Sequence, residues 1–323
     1  MQNLVTIFGG SGFVGGQVVR ALAKQGWRIR VAVRQPNLAY EMRLHGDVGQ
    51  IDIVQANVRN EASVRRALSG ATACINLVGV LYESGRQKFQ TLHAMGARTV
   101  AAVARDLGVQ QFVQMSALGA DPDSPSKYAR TKAMGEAEVR AILPGAVVIR
   151  PSVVFGPGDD FFNRFASMAL VSPVLPLIGG GETRFQPIFV GDVAKAVARV
   201  LADPASEGLT YELAGPAAFT FRELMTMMLA EIHRRRLLLP VPFPIAGLIG
   251  AGGDLIAGAG LKPPLTSDQV VLLKRDNVPS GTQPGLAELG VTPTTLEAVL
   301  PLYLYRYRKG GQFADQEERA LPA

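Results

Sequence analysis

Cysteine, tryptophan, histidine and charge are all scarce in this chain. Cys74 is the only cysteine among 323 residues, so no internal disulfide can form. A lone thiol fits a reducing compartment, and the expected role of Cys74 is a small buried residue in a core strand. His45, His93 and His233 are the only histidines. Their spacing is neither metal-like nor triad-like, so each is expected to be structural and no metal site is expected. Charged residues make up 19% against 48% apolar, which excludes a disordered chain. Even so, no uninterrupted stretch of about twenty apolar residues is free of Pro, Gly and charge, so no spanning helix is expected. A net charge of +6 permits contact with acidic lipid or nucleic acid without demanding it; no nucleic-acid partner is expected. No signal or transit segment precedes the first apolar run, and none is expected to be cleaved.

What is present begins at once. Leu4 to Phe8 is a β-branched, apolar run that reads as a buried strand. Gly9-Gly10-Ser11-Gly12-Phe13-Val14-Gly15 follows without a gap, and a helical pattern continues through Val18, Val19 and Leu22. Strand, glycine turn and helix in that order are the context a dinucleotide fingerprint requires. Gly9 suits the tight turn. Gly12 lets a pyrophosphate approach the main chain, and Gly15 lets the helix pack close to the strand. The N–H groups of Phe13, Val14 and Gly15 at the positive helix end would hold the phosphates.

A second strand, Ile29 to Val33, ends at Arg34 with no acid nearby. An acidic residue there would take the ribose 2′-OH of NAD, whereas a basic one accommodates the 2′-phosphate of NADP. NADP(H) is therefore expected in preference to NAD(H). A third strand, Ile51 to Ala56, ends at Asn57-Val58, where an adenine would lie. A fourth, Ala73 to Val78, ends at Gly79, which would let the backbone approach the cofactor. A long helical pattern spans about 89–107, and Gln111 to Met115 is a fifth strand followed by Ser116. This alternation predicts an α/β fold with a doubly wound parallel sheet.

Tyr128 and Lys132 stand four residues apart on the next helix and share a face. An ammonium beside a phenol is expected to lower the Tyr pKa and fit it for acid–base work in hydride chemistry. With these pieces the chain resembles the short-chain dehydrogenase/reductase superfamily, in its extended or atypical branch. The matching residues are Gly9-x-x-Gly12-x-x-Gly15, Arg34, Asn57-Val58, Gly79, Ser116, Tyr128-x-x-x-Lys132, Ile149 to Pro157 and Gln186 to Ala194. The resemblance implies Tyr128, Lys132 and Ser116 as catalytic residues if the chain is active, with Lys132 also on the ribose. It implies further cofactor contacts from Val78, Met115, Pro151 and Val153. One feature departs from that pattern. Ser116 precedes Tyr128 by only 12 residues, roughly half the interval of catalysing extended members, which puts Ser116 in doubt as a carbonyl-polarising group.

The last third differs in character. Residues 1–207 read as the dinucleotide-binding core, 208–308 as a smaller α+β lobe and 309–323 as a polar tail. Thr220 and Glu223 have capping-box spacing at the head of a helix. Arg234-Arg235-Arg236 then precede an apolar, Gly- and Pro-rich stretch over 237–261, whose only formal charge is Asp254. This combination suits contact with a membrane surface or membrane protein through 234–261, or equally a buried lobe. Tyr128 to Glu136, Phe162 to Met168, the run Leu239–Pro244 and Pro284-Gly285-Leu286-x-x-Leu289-Gly290 resemble the family of nucleotide-binding accessory subunits of respiratory complex I. That resemblance implies a tightly held NADPH in a structural role and partners at the junction of hydrophilic and membrane arms. It also implies no turnover, and a place on the cytoplasmic face of a bacterial inner membrane or the matrix face of the mitochondrial one. A working NADP-dependent reductase or epimerase, and a redox-sensing regulator, stand as alternatives.

Overall fold

A computed structural model of the chain describes residues 3–311. Its centre is a sheet of seven parallel strands. They are β1 (Leu4–Phe8), β2 (Arg28–Val33), β3 (Ile51–Gln55), β4 (Ala73–Asn76), β5 (Gln111–Met115), β6 (Val147–Pro151) and β7 (Thr210–Leu213). Their spatial order is β7-β6-β5-β4-β1-β2-β3. The central strands β1 and β4 are buried almost throughout, whereas β2 opens on the alternating Arg28-Ile29-Arg30-Val31. All four residues of β4 are buried, Cys74 among them, and burial pushes its thiol pKa well up. Val5 stands opposite Ile29 on one side and Ala73 on the other. The order therefore reverses between β1 and β4, and a crevice opens there beyond the carboxyl ends of the strands.

Helices cover both faces. They are α1 (Phe13–Lys24), α2 (Glu61–Leu68), α3 (Gly96–Asp106), α4 (Lys127–Ile142), α5 (Phe162–Val171) and α6 (Val190–Ala202). On one face α1 and α6 bury Val18, Leu22, Val193 and Val197. On the other, α2, α3 and α4 bury Val64, Leu68, Val100 and Val139. Side-chain caps start two of them: Asn60 accepts Ser63 N–H, and Ser126 accepts Ala129 N–H. The expected long helix over 89–107 is two pieces, because a π-turn over Gln90–Met95 precedes α3. Helix α4 crosses it so closely that a Cβ on Gly135 would lie 2.2 Å from the His93 carbonyl oxygen.

The expected division at residue 208 runs through the sheet. Strand β7 pairs with β6, with Tyr211 opposite Ile149. The second lobe also draws on residues before 208. Phe155, Phe162, Leu175 and Leu177 pack with Phe221 and Leu224 of α7 (Phe221–Glu231) and with Leu300 and Leu304. Two stretches of chain thus share one core. Thr220 and Glu223 form the expected reciprocal cap on α7.

Beyond α7, Leu237–Val241 pairs in parallel with Val174–Ile178. Helix α8 (Phe243–Gly258) follows, then the short α9 (Ser267–Leu272). Among the described residues no helix is long and apolar enough to cross a membrane. Helix α8 is unusual in which residues it buries. Ala246, Gly250, Gly253 and Ala257 face inward, while Leu248 and Leu255 stand 76% and 78% exposed. Most of the expected polar tail, residues 312–323, lies outside the described residues.

Candidate functional site

The glycine turn occupies the crevice between β1 and β4. Gly9 has φ +79°, and its N–H bonds Ala32 carbonyl oxygen at 3.2 Å across to β2. A Cβ on Gly9 would meet the Leu77 main chain at 3.3 Å, so the turn lies against the loop after β4. Gly15 is where α1 touches the turn: a Cβ there would stand 2.4 Å from Gly9 carbonyl oxygen. Gly12 meets nothing closer than that same oxygen at 3.3 Å. It begins α1 without a side-chain cap. The first-turn N–H groups of Phe13, Val14 and Gly15 therefore have no intrahelical carbonyl to bond. A Cβ on Gly158, in the loop after β6, would lie 3.9 Å from the Phe13 ring.

The other expected residues gather along the same edge. Arg34 is exposed at the end of β2 and makes no ion pair among the described residues. Ala56 N–H bonds Val33 carbonyl oxygen at 2.8 Å, which sets Asn57 beside that end. The Asn57 side chain is occupied by Arg59 N–H at 3.1 Å. Val58 is buried in the layer below, against Gly96, so only its main chain belongs to the edge. Val78 N–H bonds Asn76 Oδ1 at 3.2 Å. A Cβ on Gly79 would lie 3.1 Å from Lys132 Nζ, so this glycine makes room for the ammonium. Pro151 ends β6, and Val153 lies two residues beyond it, its N–H bonded to Asn277 Oδ1 at 3.1 Å.

Tyr128 and Lys132 are together, with Nζ 5.8 Å from the ring centre. The expected lowering of the Tyr128 pKa is reversed. Burial first, and the Asp268 carboxylate second, push it up to about 12. Desolvation of the phenolate outweighs an ammonium that is not in hydrogen-bond contact. Burial pulls Lys132 down to about 8, partly offset by Glu136. The ammonium donates to Met115 carbonyl oxygen at a long 3.4 Å. Its other two donors meet no protein acceptor among the described residues, a donor set that fits a hydroxyl-bearing ligand.

Ser116 does not join them. Its hydroxyl donates to the buried Glu136 carboxylate. Glu136 is held by Arg150 through two bonds, 2.9 and 2.6 Å, and Arg150 also faces Glu212 at 3.7 Å. The network thus engages the Ser116 hydroxyl with a buried partner.

Several residues of this site were not singled out from sequence. Glu136 lies four residues past Lys132 on the same stripe of α4, and Arg150 is the one charge in an apolar strand; both signals were legible. His93 was expected only to be structural. Its Nε2 accepts Val80 N–H at 3.1 Å, and Nδ1 pairs with Thr131 Oγ1 at 3.1 Å. The ring stacks on Phe89 and meets Tyr128 edge-on. Burial, then the Lys132 charge, hold its pKa down to about 2. Asn277 and Asp268 reach the site from more than a hundred residues away, and no local pattern marks them. No cluster of metal-ligating side chains exists among the described residues.

The fold and this edge define a dinucleotide-binding protein of the short-chain dehydrogenase/reductase type. The chain belongs to the NAD dependent epimerase/dehydratase family, whose model matches residues 5–214. It is 35% identical to the mitochondrial NADH dehydrogenase [ubiquinone] 1 alpha subcomplex subunit 9 of Arabidopsis thaliana, over 95% of this chain and 79% of that one. It is 30% identical to a ceramide reductase of Caulobacter vibrioides, over 80% of each. Among solved structures, the dTDP-glucose 4,6-dehydratase of Streptomyces venezuelae with NAD bound superposes with a TM-score of 0.70 at 21% identity. That superposition covers 95% of this chain and 98% of the other.

Proposed function

We propose that this chain is a non-catalytic NADP(H)-binding accessory subunit of respiratory complex I, with a structural and assembly role where the hydrophilic and membrane arms join. The observation that carries the reading is the fate of Ser116. An open glycine turn stands beside a serine whose hydroxyl is engaged by the buried Glu136–Arg150 pair. Binding groups are present, and the carbonyl-polarising group is not offered to the crevice. The near full-length similarity to alpha subcomplex subunit 9 supports it. In this reading the N–H groups of Phe13, Val14 and Gly15 hold the pyrophosphate, and Arg34 takes the 2′-phosphate. Asn57 and Val58 border the adenine, Lys132 and Tyr128 hold the ribose, and Val78, Gly79, Met115, Pro151 and Val153 line the remainder. The bound nucleotide supplies hydride chemistry in other members; here it fixes the fold. The outward face of α8, beside Arg234 to Arg236, meets the membrane surface, with complex I subunits as neighbours. That places the protein on the cytoplasmic face of a bacterial inner membrane, or the matrix face in an organelle.

A second reading is an NADP-dependent reductase. Tyr128 and Lys132 are retained, and a cavity of about 310 Å³ lined by Leu81, Tyr82 and Ser84 opens nearby. The ceramide reductase similarity favours it. One pair of measurements separates them. Solubilisation of native membranes in mild detergent should carry the protein with NADH:ubiquinone oxidoreductase, and Tyr128→Phe should leave that association and NADPH retention unchanged. A partner-free protein that oxidises NADPH with a small substrate, and loses about two to four orders of magnitude in rate on Tyr128→Phe, would establish the reductase instead.

A further inference from the structure

The head of helix α4 is held from a distant part of the chain. Asp268, in the first turn of α9, accepts hydrogen bonds from Ser126 Oγ at 2.8 Å, Lys127 N–H at 2.6 Å and Tyr128 N–H at 3.1 Å. The two N–H groups are ones that α4 cannot satisfy internally, and the carboxylate faces the positive end of the helix. Asp268 is itself firmly placed. Thr266 and Gln269 form a reciprocal cap around it.

Helix α8 rests on the same short stretch. A Cβ on Gly250 would lie 2.8 Å from Ser267 N, and one on Gly253 would lie 1.7 Å from Leu265 carbonyl oxygen. Main chain therefore meets main chain, with no flexible side chain between to absorb a shift. A continuous set of close contacts runs from the inward face of α8, through 265–268, to the head of α4. From there it reaches Tyr128, Lys132 and the ammonium beside Gly79.

We infer that Asp268 is a positioning residue that sets the first turn of α4 and so couples nucleotide binding at Tyr128 and Lys132 to the ordering of α8. This inference rests on the NADP(H) reading above. By linkage, a nucleotide that orders α4 also orders the face of α8, and whatever holds α8 tightens the nucleotide.

The test uses the purified full chain. NADPH binding is followed by its fluorescence in the wild type, in Asp268→Asn, in Ser126→Ala and in the surface control Asp123→Asn. Hydrogen exchange over residues 243–258 is measured with and without saturating NADPH. We expect NADPH to slow exchange over 243–258 in the wild type and in Asp123→Asn. Asp268→Asn should bind about tenfold more weakly, within the usual range of coupling, and at saturation should show no added protection of α8. Ser126→Ala should weaken binding less. An Asp268→Asn affinity within about twofold of wild type, or α8 exchange that is faster throughout but still slowed by NADPH, would overturn the inference while leaving the nucleotide reading intact. A wild-type chain that binds no NADPH would remove both.

Discussion

Single residues at this site owe their chemistry to burial. His93 carries no charge in the folded protein because its ring is enclosed and Lys132 is near. Above pH 6.5 the folded and unfolded chains are both neutral at this residue. Below it the unfolded chain takes up a proton that the folded chain refuses, so stability falls as pH falls from 6.5 toward 2. The slope from this residue is at most about 1.4 kcal/mol per pH unit. Urea unfolding at pH 7 and pH 5 should show a smaller loss in His93→Gln than in wild type; equal losses would assign the acid sensitivity elsewhere. Arg34 makes a different prediction. It is exposed and without an ion pair among the described residues, so its reversal should leave the fold unchanged. Arg34→Glu should weaken NADPH binding by on the order of tenfold, the scale of one charge-assisted hydrogen bond, and leave NADH binding unaltered. Equal effects on both nucleotides would deny Arg34 the 2′-phosphate.

At the scale of elements, the glycines divide into two kinds. Gly15 exists for packing: its missing Cβ would strike the main chain of Gly9 and Gly10 at 2.4 and 2.7 Å. Backbone cannot give way as a side chain can, so Gly15→Ala should cost about 1–3 kcal/mol in urea unfolding, the scale of overpacking. A Cβ on Gly12 would meet only Gly9 carbonyl oxygen, at 3.3 Å, a contact that a shift of a few tenths of an ångström relieves. Gly12→Ala should leave stability within about 0.5 kcal/mol of wild type and still weaken NADPH binding, because the added methyl stands where a pyrophosphate would approach. A stability loss as large as that of Gly15→Ala would contradict this division. The π-turn before α3 belongs here as well. The apolar pattern over 89–107 runs on as if one helix. Within the π-turn His93 meets α4 at Gly135, where no side chain intervenes.

The whole molecule presents two linked faces, the crevice and α8. A soluble helix ordinarily buries its large apolar residues. Helix α8 buries glycine and alanine and leaves Leu248 and Leu255 in solvent. Leu248→Ser/Leu255→Ser should therefore leave the unfolding midpoint near that of wild type. It should also reduce retention by anionic vesicles in flotation, since about 1.5–3 kcal/mol of apolar transfer is lost per side chain. Undiminished retention would remove α8 from the membrane surface. The division of the chain into lobes is also a property at this scale. The sequence pattern changes near residue 208, but β7 completes the sheet after it and Phe155 and Phe162 enter the second core before it.

The amino-acid sequence alone determined the order of strands and helices, the glycine turn, the Tyr128–Lys132 pair and the capping of α7. Each is a local pattern whose meaning depends on neighbours a few residues away. Tertiary structure decided the rest. The pKa of Tyr128 rises because enclosure, which has no signature in sequence spacing, outweighs the nearby ammonium. Ser116 turns to Glu136 because Arg150, on the strand beside it, anchors that carboxylate. Asp268 and Asn277 reach the site only when the chain has folded back across more than a hundred residues. Short-range periodicity records which face of an element is buried, but not which distant group will stand opposite it.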